Sequence, residues 1–337
     1  MNVLLPLARR ALAAMPSAVP ARQRRLAGSQ AIVDGIDFVM PVNSADTPAL
    51  MAAFPVDLAG AARLLPGSEL NPVRLRDGRA LLMVTVVNYE VTDIGRYVEY
   101  SLAIACTHGV RPAPRLLPGL LRGHYGTGQF VVDLPVSSEV SVKGGKGIWG
   151  MPKHQANLDF TITDTTVSST YAVDGVLGAL IEIERPAATA LPLDVAATNY
   201  CAFRGMLMRS NVYFQGNADI AVGRRARARL ELGDAPAVAP LRDLYIDPQP
   251  LFTAYLPSTR GVLDDHLESW FLTSDGAAPS VPEVDLRHRE GLESVVSLGT
   301  SQQWLAPPQH VPEQMYHQTS SRINTETTGQ LSSGRSS

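Results

Sequence analysis

The stretch Glu139–Phe160, EVSVKGGKGIWGMPKHQANLDF, concentrates the residue types that can do chemistry. Gly150 and Pro152 bracket a tight turn, and Lys153 leaves it just ahead of an alternating segment. Ile148, Trp149 and Met151 put apolar bulk beside that lysine. A lysine held at a rigid turn against apolar groups is drawn out of water, and desolvation disfavours the charged form of an amine. The neutral amine is the species that condenses with a carbonyl to give an imine. Schiff-base chemistry is therefore open to Lys153. Most lysines near turns are nevertheless solvated surface charges, and the local residues alone do not choose between the two fates.

Other constellations fall short of a site. The histidines, His108, His124, His154, His266, His288, His310 and His317, show neither H-x-H nor H-E-x-x-H spacing, so no metal site is expected. Lys143–Gly147, KGGKG, lacks the ending of a phosphate-cradling loop and reads as a helix C-cap. Gly123–Gly128, GHYGTG, fails the dinucleotide spacing and precedes a strand where a helix is needed. In Gly223–Leu230, the arginines 224, 225, 227 and 229 read as the solvated face of a strand. Asp264-Asp265-His266 reads as a helix N-cap, because no nucleophile elbow accompanies it.

The elements that must position Lys153 are mainly strands. Asp57–Leu65 places Leu58, Ala61, Ala62 and Leu65 on one helical face and is closed by Pro66-Gly67. Ala80–Val87 is a continuous apolar run suited to a strand covered on both sides. Tyr97–Cys106 and Gln129–Leu134 are two further strands, and Glu139–Lys143 reads as a single helical turn ended by Gly144-Gly145. Gln155–Thr163 alternates, and turns at Thr163-Asp164-Thr165 and Asp174-Gly175 lead through Val167–Val173 to Leu177–Glu184. Three strands joined by tight polar turns make an antiparallel meander. The pattern predicts an α+β, mainly antiparallel protein with a few flanking helices and no doubly wound parallel sheet.

The totals set the remaining bounds. With 45% hydrophobic and 18% charged residues the composition is that of a globular protein with a buried core. A net charge of −3 offers no basic footprint for nucleic acid. Two cysteines are too few for a disulfide framework and favour a reducing, cytoplasmic compartment. No apolar run approaches the roughly 20 residues of an integral membrane helix. Residues 1–33 form an arginine-rich extension, either packed loosely on the domain or acting as an amphipathic leader, with Pro6, Pro16 and Pro20 interrupting its helix. Residues 34–300 form one domain, and the polar segment 307–337 is expected to be disordered.

Taken together, IWGMPKH and the strand after it resemble the active-site segment of the acetoacetate decarboxylase superfamily. Asp93–Tyr100, DIGRYVEY, resembles that family's G-x-Y-x-E segment, and Pro55–Gly67 resembles the helix ahead of those strands. Val262–Leu272 also looks similar to distant members, so the likeness spans about residues 35–275. The resemblance implies a conical, closed β-barrel with an apolar cavity, and self-association as a homo-oligomer. It makes Lys153 the Schiff-base lysine and Glu99 an active-site carboxylate, with activation by desolvation or a second cation as the family's known device.

The implied reaction is decarboxylation of a small β-keto or oxo acid through an iminium, with no cofactor. Aldolase or dehydratase chemistry on the same lysine, or a non-catalytic barrel holding an apolar ligand, are the alternatives. His154, Trp149, Met151, Tyr97 and Arg96 are expected at the substrate. Glu99 can be a proton shuttle or a structural partner of Arg96, and Tyr97 a packing residue or a hydroxyl facing the substrate. Three departures stand out: His154 replaces a second lysine, and Thr47 and Val84 fall where family members carry an arginine and a glutamate.

Overall fold

A computed structural model describes residues 4–14, 17–19, 29–115, 117–120, 122–203, 205–263 and 267–272. All of these fall in one compact unit, Met1–Thr273. The expected limit at residue 300, the segment 307–337 and the Asp264–His266 cap lie outside the described residues.

A mixed sheet of thirteen strands is built around Ala80–Tyr89. That strand is antiparallel to Ala49–Val56 on one side and to Tyr97–His108 on the other. Tyr97–His108 pairs in turn with Gly128–Val136, which carries the short parallel strand Lys153–Gln155 at the end of the path. In the other direction the order runs from Ala49–Val56 through Phe252–Leu256 to the long strand Met206–Val222. Leu191–Phe203 pairs along Met206–Val222 and also meets Gly128–Val136 in parallel. The mainly antiparallel class and the strands expected at 80–87, 97–106 and 129–134 match the hydrophobic patterning. The alternating segment Gln155–Thr163, by contrast, is not one strand: it is broken into Lys153–Gln155 in the main sheet and Asn157–Leu158 and Thr161–Ile162 in the second.

Strand alternation divides the side chains between two faces. Tyr100, Leu102 and Ile104 join Leu82, Val84 and Val86 in the largest core cluster. A second sheet of five strands covers this face and supplies Val167, Tyr171, Ala179, Ile181 and Ile183. It contains the expected hairpin, Thr166–Val173 with Val176–Glu184, turned by Asp174 and Gly175 at φ 50° and 80°. Two successive left-handed residues match the twist of a two-residue hairpin. The opposite face carries Tyr97, Glu99 and Ala103, with Ala49, Val87, Tyr89 and Val136 beside them.

Two readings of helices are corrected. The helix after Ser138 does not stop at Gly144-Gly145 but continues from Glu139 to Trp149, and Gly150, at φ 64°, is the C-cap. Its glycines are close-approach points: a Cβ would lie 2.6 Å from the Phe38 ring at Gly144 and 2.6 Å from Val33 at Gly147. Phe38 and Val33 belong to the hairpin of Ser29–Val33 with Ile36–Met40, which pairs across residue 34. Glycine inside a helix costs about 0.5–1 kcal/mol relative to alanine, and here the packing it permits overrides propensity. Pro6 does not interrupt the N-terminal helix, Leu4–Ala13, because it sits in the first turn, where its missing N–H has no intrahelical partner to lose. Arg9 Nε donates to the Thr189 carbonyl at 2.8 Å, which ties this helix to the body. Elsewhere the helix expected over Asp57–Leu65 forms as Leu58–Leu64, with Asp57 as its N-cap accepting from Gly60 N at 2.6 Å.

The arginines 224, 225, 227 and 229 are exposed, as the alternation predicts, although 224 and 225 lie in a 3-10 turn ahead of the strand Ala228–Leu232.

Candidate active site

Lys153 enters the sheet where the chain reverses direction. The Met151 amide bonds back to the Gly145 carbonyl at 3.0 Å, and the Lys153 amide to the Met151 carbonyl at 2.8 Å. Lys153 then pairs with Leu134 in parallel register. Its side chain is only 3% exposed and runs past Gly145, where a Cβ would stand 2.3 Å from the lysine Cδ. The long helix and the lysine strand thus fit together because residue 145 has no side chain.

The amine ends among polar partners in an otherwise apolar setting. Nζ lies 2.7 Å from Glu99 Oε2, donates to Ser141 Oγ at 2.9 Å, and sits 5.4 Å from the centre of the Tyr97 ring. The Glu99 side chain is 15% exposed. Tyr97 stacks on Tyr89 with ring centres 4.6 Å apart. Burial, reinforced by the Glu99 charge, pushes both phenols well above their ordinary range, so they act as neutral hydroxyls. Burial also pushes the Cys201 thiol up to about 12, against a smaller opposing pull from Lys153. That thiol is no nucleophile near neutrality. The two stacked tyrosines, with Val42, Val212 and Leu263, line a hollow in the surface.

The other expected substrate contacts are placed differently. Trp149 and Met151 are buried in one apolar cluster with Phe38, Cys201 and Leu134, the last being the register partner of Lys153. Arg96 is exposed on the loop before the Tyr97 strand, and Glu99 pairs with Lys153. His154, next along the strand, faces the second sheet. Its Nε2 lies 2.8 Å from Asp133 Oδ1, while Tyr171 OH donates to Asp133 Oδ2 at 2.5 Å. The hydrogen bond to Asp133 holds the His154 pKa above its usual value, against the opposing effect of burial. His154 is therefore not brought to the amine.

Of the two positions with unexpected residues, Thr47 is buried and hydrogen-bonded to the Ala45 carbonyl at 3.1 Å, and Val84 packs in the core facing the second sheet. Among the described residues Lys153 is the only buried cation. Nor does any group of three or more His, Cys, Asp or Glu among them stand where it could hold a metal ion.

Ser141, Asp133, Tyr89 and Tyr171 were not singled out by the residue patterns. Only Ser141 left a signal: it precedes Gly145 by four residues, so both occupy one helix face.

A buried amine paired to a carboxylate on one face of a mainly antiparallel sheet defines a class of lysine-centred β proteins. The family model for acetoacetate decarboxylase (ADC) matches residues 27–258, well over half of the chain, and this chain belongs to that family. No protein of curated function matches the sequence. Among solved structures, one described as a structural study of acetoacetate decarboxylase is similar at 14% identity and a TM-score of 0.50, covering 68% of this chain and 89% of its own. The acetoacetate decarboxylase of Legionella pneumophila is 15% identical with a TM-score of 0.49, over 74% and 90% of the two chains. The enduracididine biosynthesis enzyme MppR, solved with pyruvate, is 16% identical with a TM-score of 0.48, over 69% and 90%. At such identities the likeness is one of fold.

Proposed function

We propose that this chain is a Schiff-base enzyme that decarboxylates a β-keto or other oxo acid on Lys153. The observation that carries the reading is the 2.7 Å contact between Lys153 Nζ and Glu99 Oε2 in a largely buried setting. An amine must lose a proton before it attacks a carbonyl, and Glu99 stands where it can receive it. Attack on the substrate carbonyl and loss of water give an iminium. With a β-keto acid, the carbon–carbon bond to the carboxylate breaks, its electron pair moves into the iminium, and carbon dioxide leaves an enamine. Protonation of the enamine carbon, for which Glu99 is the nearest acid, and hydrolysis by water release the ketone and return the amine.

Trp149 and Met151 serve by keeping water from the lysine stem. Tyr97 offers a neutral hydroxyl and a ring face to the reacting centre. The circuit of strand pairings, which returns to Gly128–Val136 through Leu191–Phe203, supports the closed barrel expected for such a site.

A second reading keeps the lysine but replaces decarboxylation by aldol or dehydration chemistry. It is favoured by the lack of a second buried cation among the described residues, since Thr47 and Val84 offer nothing to hold a substrate carboxylate. Borohydride reduction in the presence of a panel of β-keto and 2-oxo acids tests both. An adduct mapped to Lys153 and absent in Lys153→Ala supports the imine, and carbon dioxide release separates the two reactions. No adduct from well-folded protein sinks the enzyme reading and leaves a barrel that binds an apolar ligand.

A further inference from the structure

The strand that carries Lys153 is three residues long and lies at the end of the main sheet's path, held by parallel pairing to Leu134–Val136. So short a pairing leaves the lysine's position dependent on further anchors. One anchor is on the face away from the amine. His154 reaches Asp133 on the neighbouring strand at 2.8 Å, and Asp133 also accepts from Tyr171 of the second sheet at 2.5 Å. The Asp133 carboxylate is 3% exposed, and a buried carboxylate is costly unless it is paired and hydrogen-bonded.

We propose that Asp133 and His154 are positioning residues. Their ion pair on one face of the sheet fixes the strand that holds the Lys153 amine between Glu99 and Ser141 on the other. This rests on the Schiff-base reading of Lys153. The groups facing the His154 ring are Asp133 on the adjacent strand and Tyr171 on the second sheet. The Lys146 charge on the long helix opposes its protonation, and the Tyr100 hydroxyl, which also senses the Asp133 charge, has no hydrogen-bond partner among the described residues. Losing the His154 proton weakens the anchor, because an imidazolium–carboxylate pair becomes a neutral hydrogen bond. The Lys153 site then loosens as pH rises through the histidine's raised pKa.

The test compares wild type, His154→Gln and His154→Lys from pH 6 to 9, with the fold of each checked by circular dichroism. Two rates are read on Lys153 by mass spectrometry: borohydride-trapped imine with a reactive oxo acid, and carbamylation by cyanate, which needs no carbonyl substrate. The wild-type profiles should carry an inflection above pH 6.5 that both variants lack. His154→Gln should trap about tenfold more slowly, and the lysine variant, whose cation persists to about pH 10, should restore the rate. Tyr171→Phe, which removes one bond to Asp133 and keeps the ring, provides a milder perturbation if His154→Gln does not fold, and should slow trapping in the same direction. Wild-type rates and profiles in the variants would overturn the proposal. If no oxo acid traps but the variants still change carbamylation, the Schiff-base reading fails and the positioning role stands.

Discussion

Gly145 and Lys153 occupy one another's space: the lysine side chain runs where a Cβ on residue 145 would stand, 2.3 Å from its Cδ. The amine's location is thus fixed by an absence on the neighbouring helix as much as by its own strand.

Gly145→Ala is expected to displace the lysine stem, since the contact is with a packed side chain 3% exposed. Overpacking of this kind costs about 1–3 kcal/mol. Urea unfolding should show that loss, and borohydride trapping at Lys153 should fall with it. Unchanged stability and trapping would mean that the stem has room to move.

Glu99→Gln keeps the shape of the site and removes the proposed proton acceptor. Turnover should drop by about 10²–10⁴-fold, the usual worth of a positioned acid or base. The imine itself should still be trapped with a reactive oxo acid. Turnover at the wild-type level would remove Glu99 from the mechanism.

Ser141→Ala deletes the 2.9 Å hydrogen bond to the amine and leaves the Glu99 pair in place. A single bond of this type is worth about 0.5–1.5 kcal/mol, which is about two- to twelvefold in a rate. Single-turnover trapping should slow by up to that factor. A far larger loss would give the hydroxyl a part in proton transfer.

Stability should carry a signature of His154. Its folded pKa is raised by the bond to Asp133, so the stabilisation is fully present below the unfolded value of about 6.5 and is lost as pH rises through the folded value. The difference in urea midpoint between wild type and His154→Gln should therefore shrink between pH 6 and 9. A difference that grows with pH would contradict the assigned pair.

What was legible in the sequence was what local rules decide. The helix ended by Pro66-Gly67, the Asp174-Gly175 hairpin and the apolar run of Ala80–Tyr89 each depend on neighbours within a few positions. The Gly150–Lys153 turn is local too, which is why the lysine stood out. The glycines of Glu139–Trp149 misled because propensity penalises them, while Phe38, Lys153 and Val33 demand them from far along the chain. His154 was expected at the substrate as the neighbour of Lys153, but alternation on a strand sends adjacent side chains to opposite faces. Its partner, Asp133, lies 21 positions away on a parallel strand, a separation that no short-range pattern encodes.

The brevity of the lysine strand has one more consequence. A sheet edge with a long row of free amides and carbonyls invites another chain to add itself. Here the backbone leaves the main sheet after Gln155 and joins the second sheet at Asn157. The edge beside Lys153 is therefore too short to template a foreign strand, and the segment that carries the buried lysine also guards its flank against edge-to-edge aggregation.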